Sequence, residues 1–405
     1  MPAMKRGSLL SLAALLCLAA CGGGTQSNAP SDTTPIKLGV ITSLTGAYTT
    51  LGVANKAGVD IAVEEVNASG GVNGRKFEVT YEDDQTTPTQ AVIAFNKLTG
   101  ENVTAILGPV LSDSVLAIKQ GPLDSKKTPV VSLAASDAIV DPVDPYLYMT
   151  PGKANVGADR MMQYFKAQGL TKMAIWYASD NAFATSGHDA MTKSYASKNG
   201  INFVQDEAFS ARDTKDFTPL FTKLKSSGAQ GLMVWSTAAP PVIITKAFRQ
   251  QGLTIPLVMS HAQATPLYFG TGATAAGPAA EGVVMMTQLG PIAQSIPDNV
   301  PSKKVALDFA KKYAAANQGA YPPQFAFDGY IGVKMLADAM KRKGTKSSQI
   351  ISGLDSVNMV TPQGVYKTSK SDHSGFGVEY MQVGVVRNGT LVSTDYSNGL
   401  LQKLK

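Results

Sequence analysis

The chain is poor in the residues on which most site chemistry depends. Its 405 residues include two cysteines, three histidines and two tryptophans. Both cysteines, Cys17 and Cys21, lie near the amino terminus. The body of the chain therefore has no disulfide, no cysteine metal site and no thiol nucleophile. A chain this long builds an ample core without such staples. His188, His261 and His373 share no short spacing, which argues against a zinc motif. Gly-x-Ser-x-Gly, a Gly-Lys-Ser/Thr phosphate loop and His-Glu-x-x-His are all missing. The glycines of Gly39–Gly46 lack the spacing of a dinucleotide fingerprint. No enzyme activity, metal or cofactor is expected.

Charge of one sign is scarce as well. The formal net charge is +6, and without Lys5 and Arg6 the 36 basic residues become 34 against 30 acidic ones. So small an excess over so long a chain predicts no nucleic-acid surface. Lys341-Arg342-Lys343 is the compact basic run; it ends a predicted helix, where positive charge suits the helix dipole. Leu9–Ala20 is apolar but only about a dozen residues long, short of a stable bilayer span.

What is present starts with that leader. Lys5 and Arg6 precede the apolar stretch, and small residues follow it, the pattern of a secretory signal peptide over 1–20. Leu18-Ala19-Ala20-Cys21 resembles a lipobox, the bacterial lipoprotein signal. That resemblance implies cleavage before Cys21 and lipidation of its thiol and new amino terminus, anchoring the protein on the extracytoplasmic side of a membrane. Residues 21–35 are Gly, Ser, Thr, Asn and Pro with almost nothing apolar, and read as a flexible tether.

From Ile36 the chain alternates strands and helices. Ile36–Ile41 reads as a strand, Thr42–Tyr48 as a hydroxyl- and glycine-rich loop, and Thr50–Asn67 as a helix with an apolar face through Val53, Ala57, Ile61, Ala62 and Val66. A polar turn before a helix amino terminus suits an anionic group, and is equally an ordinary βα corner. Phe77–Tyr81 is the next strand and runs into Glu82-Asp83-Asp84. The pair Asp83-Asp84 is most simply a cap for the following helix or a partner for lysine. Thr104–Gly108 and Pro129–Ser132 are further strands, and Tyr146–Thr150 leads out of the unit. The alternation restarts with strands at Met173–Tyr177, Ile201–Val204, Leu232–Trp235 and Ile255–Met259, and a return strand at Gly282–Met286. Helices at Lys303–Ala316 and Phe325–Arg342 have no parallel strands of their own, so the chain is expected to return to its first unit. The pattern predicts an α/β fold of two Rossmann-like lobes with mostly parallel sheets. Lobe one spans 36–150 and about 287–360; lobe two spans 151–286 and about 361–399.

Two lobes, export and a missing catalytic set point to capture in a crevice that closes on its ligand. Here the chain resembles the substrate-binding lipoproteins of the branched-chain amino-acid (Liv-type) ABC transporter family, with the type I periplasmic-binding fold. The likeness runs over about 36–390. It rests on Ile36–Gly46, Asn67–Arg75, Tyr81–Asp84, Ala105–Pro109 before Ser112, and Pro129–Ser136 taken in order. It implies a three-strand hinge, a membrane permease and cytoplasmic ATPases as partners, and a small amino acid or related carboxylate as ligand. The receptor is expected to be a monomer.

Residue by residue, the resemblance implies that Ser112 donates to the ligand carboxylate, Ala134 accepts from its amine, Ala135 adjoins it, and Ser136 holds the carboxylate. Ser43 and Gly46 would line the first-lobe opening. The second lobe departs from the family pattern. Phe183-Ala184 stands where Tyr-Gly is usual, Ala238 where a Tyr follows Trp235-Ser236-Thr237, and His261 falls near the Glu that usually pairs with the ammonium. Neutral histidine accepts one hydrogen bond and protonated histidine repels a cation. Phe183, Trp235 and Ala238 would then face an apolar body, unless Trp235 is core packing. An amino acid, a non-amino carboxylate and an amide all remain open as ligands. A sensory receptor and a two-lobed amidohydrolase are the competing classes.

Overall fold

The computed structural model describes residues 32–404. The signal peptide, Cys21 and nearly all of the tether lie outside the described residues.

The first lobe is a five-stranded parallel sheet. It comprises β1 (Ile36–Thr42), β2 (Phe77–Asp83), β3 (Ala105–Leu107), β4 (Val130–Ser132) and β5 (Leu147–Met149), in the order β2-β1-β3-β4-β5. From Leu38 onward β1 is buried on both faces, and it sits between β2 and β3. A strand covered on both sides has no use for polar alternation. The crossovers are α1 (Thr49–Ala68), α2 (Pro88–Gly100) and α3 (Ser112–Gln120). Thr87 caps α2, its side chain accepting the Gln90 N–H.

The buried stripe of α1 differs from the expected one. Val53 is exposed and Ala57 half-buried, while Ala54, Asn55, Gly58, Val59, Ala62 and Val66 are buried. The cause is a second helix on α1. A Cβ at Gly58 would strike the Ala326 carbonyl, so small residues let the two backbones approach and turn the stripe toward that neighbour.

The second lobe follows α4 (Ala154–Ala167). Its strands are β6 (Lys172–Ala178), β7 (Asn202–Phe209), β8 (Leu232–Trp235), β9 (Leu257–Met259) and β10 (Val284–Thr287). Between them run α5 (Ala182–Asp189), α6 (Thr218–Ser226) and α7 (Pro240–Gln250). The chain then returns to lobe one as α8 (Pro301–Ala316), α9 (Gln324–Lys343) and α10 (Ser347–Leu354). Next come the antiparallel pair β11 (Asn358–Thr361) and β12 (Gly364–Lys367), then β13 (Gln382–Arg387) and β14 (Thr390–Ser393). The last two extend the second sheet to β14-β13-β10-β9-β8-β6-β7 through antiparallel edges. Asn388 and Gly389, both at positive φ, make their tight turn.

Residues 361–376, expected in lobe two, pack in the first-lobe core instead. Tyr366 and Phe376 are buried there with α8 and α9. The Tyr366 hydroxyl donates to the Met149 carbonyl, and the Met149 N–H donates to His373 O at 3.1 Å. The chain crosses between lobes after β5, after β10 and again between Phe376 and β13.

Candidate functional site

Strand order locates the site. In the first sheet β1 is flanked by β2 and β3, and in the second β6 is flanked by β7 and β8. Crossovers leave in opposite directions at such points and open a crevice at the carboxyl ends of the strands. The loops after β3, β4, β6, β8 and β9 line a cavity of about 40 Å³, with the first turns of α9 as a further wall. That is room for roughly three waters. An outer cavity of about 380 Å³ adjoins it, and Leu51, Ala262 and Phe325 line both.

Five of the expected residues share the inner cavity: Ser112, Ala134, Ala135, Phe183 and His261. Ser112 opens α3, and its Oγ accepts the Ser136 N–H at 3.2 Å. Among the described residues no group accepts the Ser112 hydroxyl proton. The Ala135 carbonyl is occupied by the Ala154 N–H at 2.9 Å. Phe183 stands in the first turn of α5, fixed by Asn181, whose side chain accepts the Ala184 N–H at 2.9 Å. Its ring meets His261 edge-on, with centroids 4.9 Å apart. His261 is 2% exposed, and burial pulls its pKa down to about 4. It is neutral at physiological pH, and neither ring nitrogen has a partner among the described residues.

The other expected residues lie elsewhere. Ser136 turns to a surface groove shared with Asp137 and Ser186, while Ala238, at φ +59°, lines the outer cavity. Trp235 is fully buried beneath Phe183, ring centroids 5.7 Å apart, and closes on Gly187 so tightly that a Cβ there would overlap the indole. Ser43 is fully buried and donates to Asp84 Oδ1 at 2.6 Å. Gly46 occupies an exposed turn against Thr86. Asp83 Oδ1 accepts the N–H groups of Leu44, Thr45 and Gln85 at 2.8–3.2 Å. The acid pair thus organises the β1–α1 loop, and that loop sends Tyr48 across the cleft to Thr237, 3.3 Å away.

Sequence reasoning passed over four polar lining residues: Asn181, Thr237, Gln324 and Asp328. Asp328 is 1% exposed, and burial pushes its carboxyl up to about 8, against the opposing hydrogen bond from Gln363. A lone acid within Phe325-Ala326-Phe327-Asp328-Gly329-Tyr330-Ile331 was the available signal. Among the described residues no group of His, Cys, Asp and Glu is arranged to hold a metal.

Comparisons with known proteins agree with this geometry. The family profile described as "Periplasmic binding protein" matches residues 35–390. "Leu/Ile/Val-binding protein homolog 2" of Brucella abortus is 26% identical, with 92% of each chain covered. The "Leucine-, isoleucine-, valine-, threonine-, and alanine-binding protein" of Pseudomonas aeruginosa is 27% identical over 62% of this chain and 66% of its own. An extracellular ligand-binding receptor from Rhodopseudomonas palustris HaA2 superposes with TM-score 0.80 at 21% identity, covering 89% of this chain and 99% of its own. The Thermotoga maritima leucine-binding protein superposes with TM-score 0.76 at 20% identity over 89% and 97%.

Proposed function

The chain belongs to the periplasmic binding protein family, and from that premise we propose that its cleft takes an aliphatic α-amino acid. Members of this family bind solutes without transforming them. The protein is an extracytoplasmic solute-binding receptor that captures a small molecule and delivers it to an ABC permease.

The observation that carries the ligand reading is the pairing of one free hydroxyl with apolar walls. Ser112 has spent its acceptor side on Ser136 and keeps its proton for a carboxylate. Leu51, Leu133, Phe183 and Phe325 supply the apolar surface, and Leu51 and Phe325 also open onto the outer cavity. The ligand's head sits by Ser112 and its hydrocarbon body points toward that larger space. The names of the Brucella and Pseudomonas relatives support the same class.

A melting screen tests this. L-leucine, L-isoleucine and L-valine are expected to raise the unfolding midpoint. The Ser112→Ala variant is expected to keep its own midpoint and lose most of that gain. Undiminished stabilisation in the variant removes Ser112 from the site. A non-amino carboxylate is the second reading, favoured by a neutral His261 that offers one donor to an oxygen.

The reading extends to the anchor. Cys21 carries lipid, and the receptor works as a monomer tethered through residues 21–35. A Cys21→Ser variant is expected to leave the membrane fraction; retention there removes the anchor.

A further inference from the structure

The inner cavity holds polar atoms that no group among the described residues satisfies: Asp328 Oδ2, Gln324 Oε1 and both ring nitrogens of His261. Gln324 and Asp328 are one helical turn apart on α9, so their acceptor oxygens share one face. A buried oxygen without a donor is costly. Two together in one cavity describe a receptor for a donor-rich group. Among the described residues Asp328 is the sole acid lining that cavity.

Its carboxyl is held in place from behind. Gln363, fully buried, donates to Asp328 Oδ1 at 3.4 Å, and its own Oε1 accepts the Gly290 N–H at 3.1 Å. Gly290 belongs to the crossover after β10, so the support comes from the hinge rather than from either cleft wall. One oxygen is tied back and the other is left to the cavity.

We propose, building on the amino-acid reading above, that Asp328 is the specificity-determining residue that receives the ligand's ammonium group, with Gln324 as a second acceptor. The second lobe needs no acid at His261, because the counter-charge comes from α9. Neighbouring groups leave this role to Asp328 alone. Gln324 faces it from its own helix, Gln363 from the β11–β12 turn, and Ser112 and His261 from across the cavity. On α1 the nearby polar residue is Asn55, whose amide is engaged by the Phe325 carbonyl at 2.7 Å. None of these carries charge at neutral pH. Burial keeps the carboxyl protonated before binding, and an arriving ammonium favours its ionised form. Binding therefore moves the Asp328 proton to solvent.

Calorimetry with three probes tests the assignment: L-leucine, its des-amino counterpart 4-methylpentanoate, and its des-carboxy counterpart 3-methylbutylamine. Wild type is expected to bind leucine about tenfold or more tighter than 4-methylpentanoate, the scale of one charge-assisted contact. In D328N the affinities for leucine and the amine are expected to fall by at least about tenfold, with 4-methylpentanoate retained. A second measurement needs no variant. In buffers of different ionisation heat at pH 7, wild type is expected to release close to one proton with leucine and none with 4-methylpentanoate. A leucine preference that survives D328N, or leucine binding without proton release, overturns the role of Asp328. Wild type that binds 4-methylpentanoate as tightly as leucine overturns that role and leaves the cleft assignment standing. Wild type that binds none of the three overturns the amino-acid reading and this inference together.

Discussion

Asp137 and Ser186 grip each other across the cleft. The Ser186 hydroxyl donates to Asp137 Oδ2 at 2.8 Å and accepts the Asp137 N–H at 3.1 Å. Asp137 follows β4 in lobe one, and Ser186 lies on α5 in lobe two. A second contact runs beside it, where the Ala182 N–H donates to Asp113 Oδ2 at 3.3 Å. Both act on α5, the helix that also carries Phe183. The two contacts thus tie the first lobe to the helix that places this cavity wall.

Ser186→Ala is expected to weaken ligand affinity while barely changing the unfolding midpoint. A hydrogen bond to a carboxylate contributes about 1.5–3 kcal/mol. Removing it from the closed form alone shifts the open–closed balance by that amount, which ligand must supply. A loss of about tenfold or more in affinity is the expected scale. Titration calorimetry checks it. Unchanged affinity would show that the pair does not bias closure.

Phe183 and Trp235 touch each other and are expected to respond differently. Phe183→Ala removes a cavity wall, so ligand stabilisation should shrink. Trp235→Ala removes a fully buried ring from beneath α5, and deletions of this kind cost roughly 3–5 kcal/mol. Denaturant unfolding and ligand-dependent melting of the two variants separate the roles. Trp235→Ala with wild-type stability would contradict its place in the core.

The difference between those two aromatics shows what the sequence could and could not convey. Periodicity marked β1, the alternating elements and the two long helices after residue 300, because buried strands and amphipathic helices leave local patterns. Phe183 and His261 were marked by the resemblance to the Liv-type receptors, not by periodicity. Periodicity could not give the direction of Trp235, since a strand covered on both faces has no alternation to read. Asp328 was hidden for a related reason. α9 is buried nearly all round between α1, α10 and the first sheet, so it reads as core helix. Only the tertiary arrangement shows that its first turns line the cleft.

The two buried titratable groups of the cavity give opposite pH slopes. Asp328 has its folded pKa raised from about 3.8 to about 8. Its contribution is fully present below the lower value and disappears as pH rises through the upper one. His261 is lowered from 6.5 to about 4, so its contribution is present above 6.5 and disappears as pH falls toward 4. Between pH 4 and 6.5 the slopes offset each other. From 6.5 to 8 the Asp328 slope stands alone, at up to about 1.4 kcal/mol per pH unit for one proton. The unfolding free energy of ligand-free protein is expected to fall over that window, and D328N to flatten it. A flat wild-type profile there would show that Asp328 is already ionised.

Ser43 is expected to matter for stability rather than for ligand. Its hydroxyl is the donor to Asp84 Oδ1, and Asp84 Oδ2 already lacks a partner among the described residues. Ser43→Ala leaves a buried carboxyl with one donor fewer, the Thr86 N–H at 2.9 Å being what remains on Oδ1. Leaving a buried acceptor short of a donor costs about 1–3 kcal/mol. The lining of the inner cavity is untouched, because Ser43 is no part of it. Chemical denaturation should therefore show the loss, while leucine affinity stays within about twofold of wild type. The reverse result, intact stability with affinity lost, would mean that the β1–α1 loop delivers Ser43 to the ligand, and that the Ser43–Asp84 bond breaks when ligand binds.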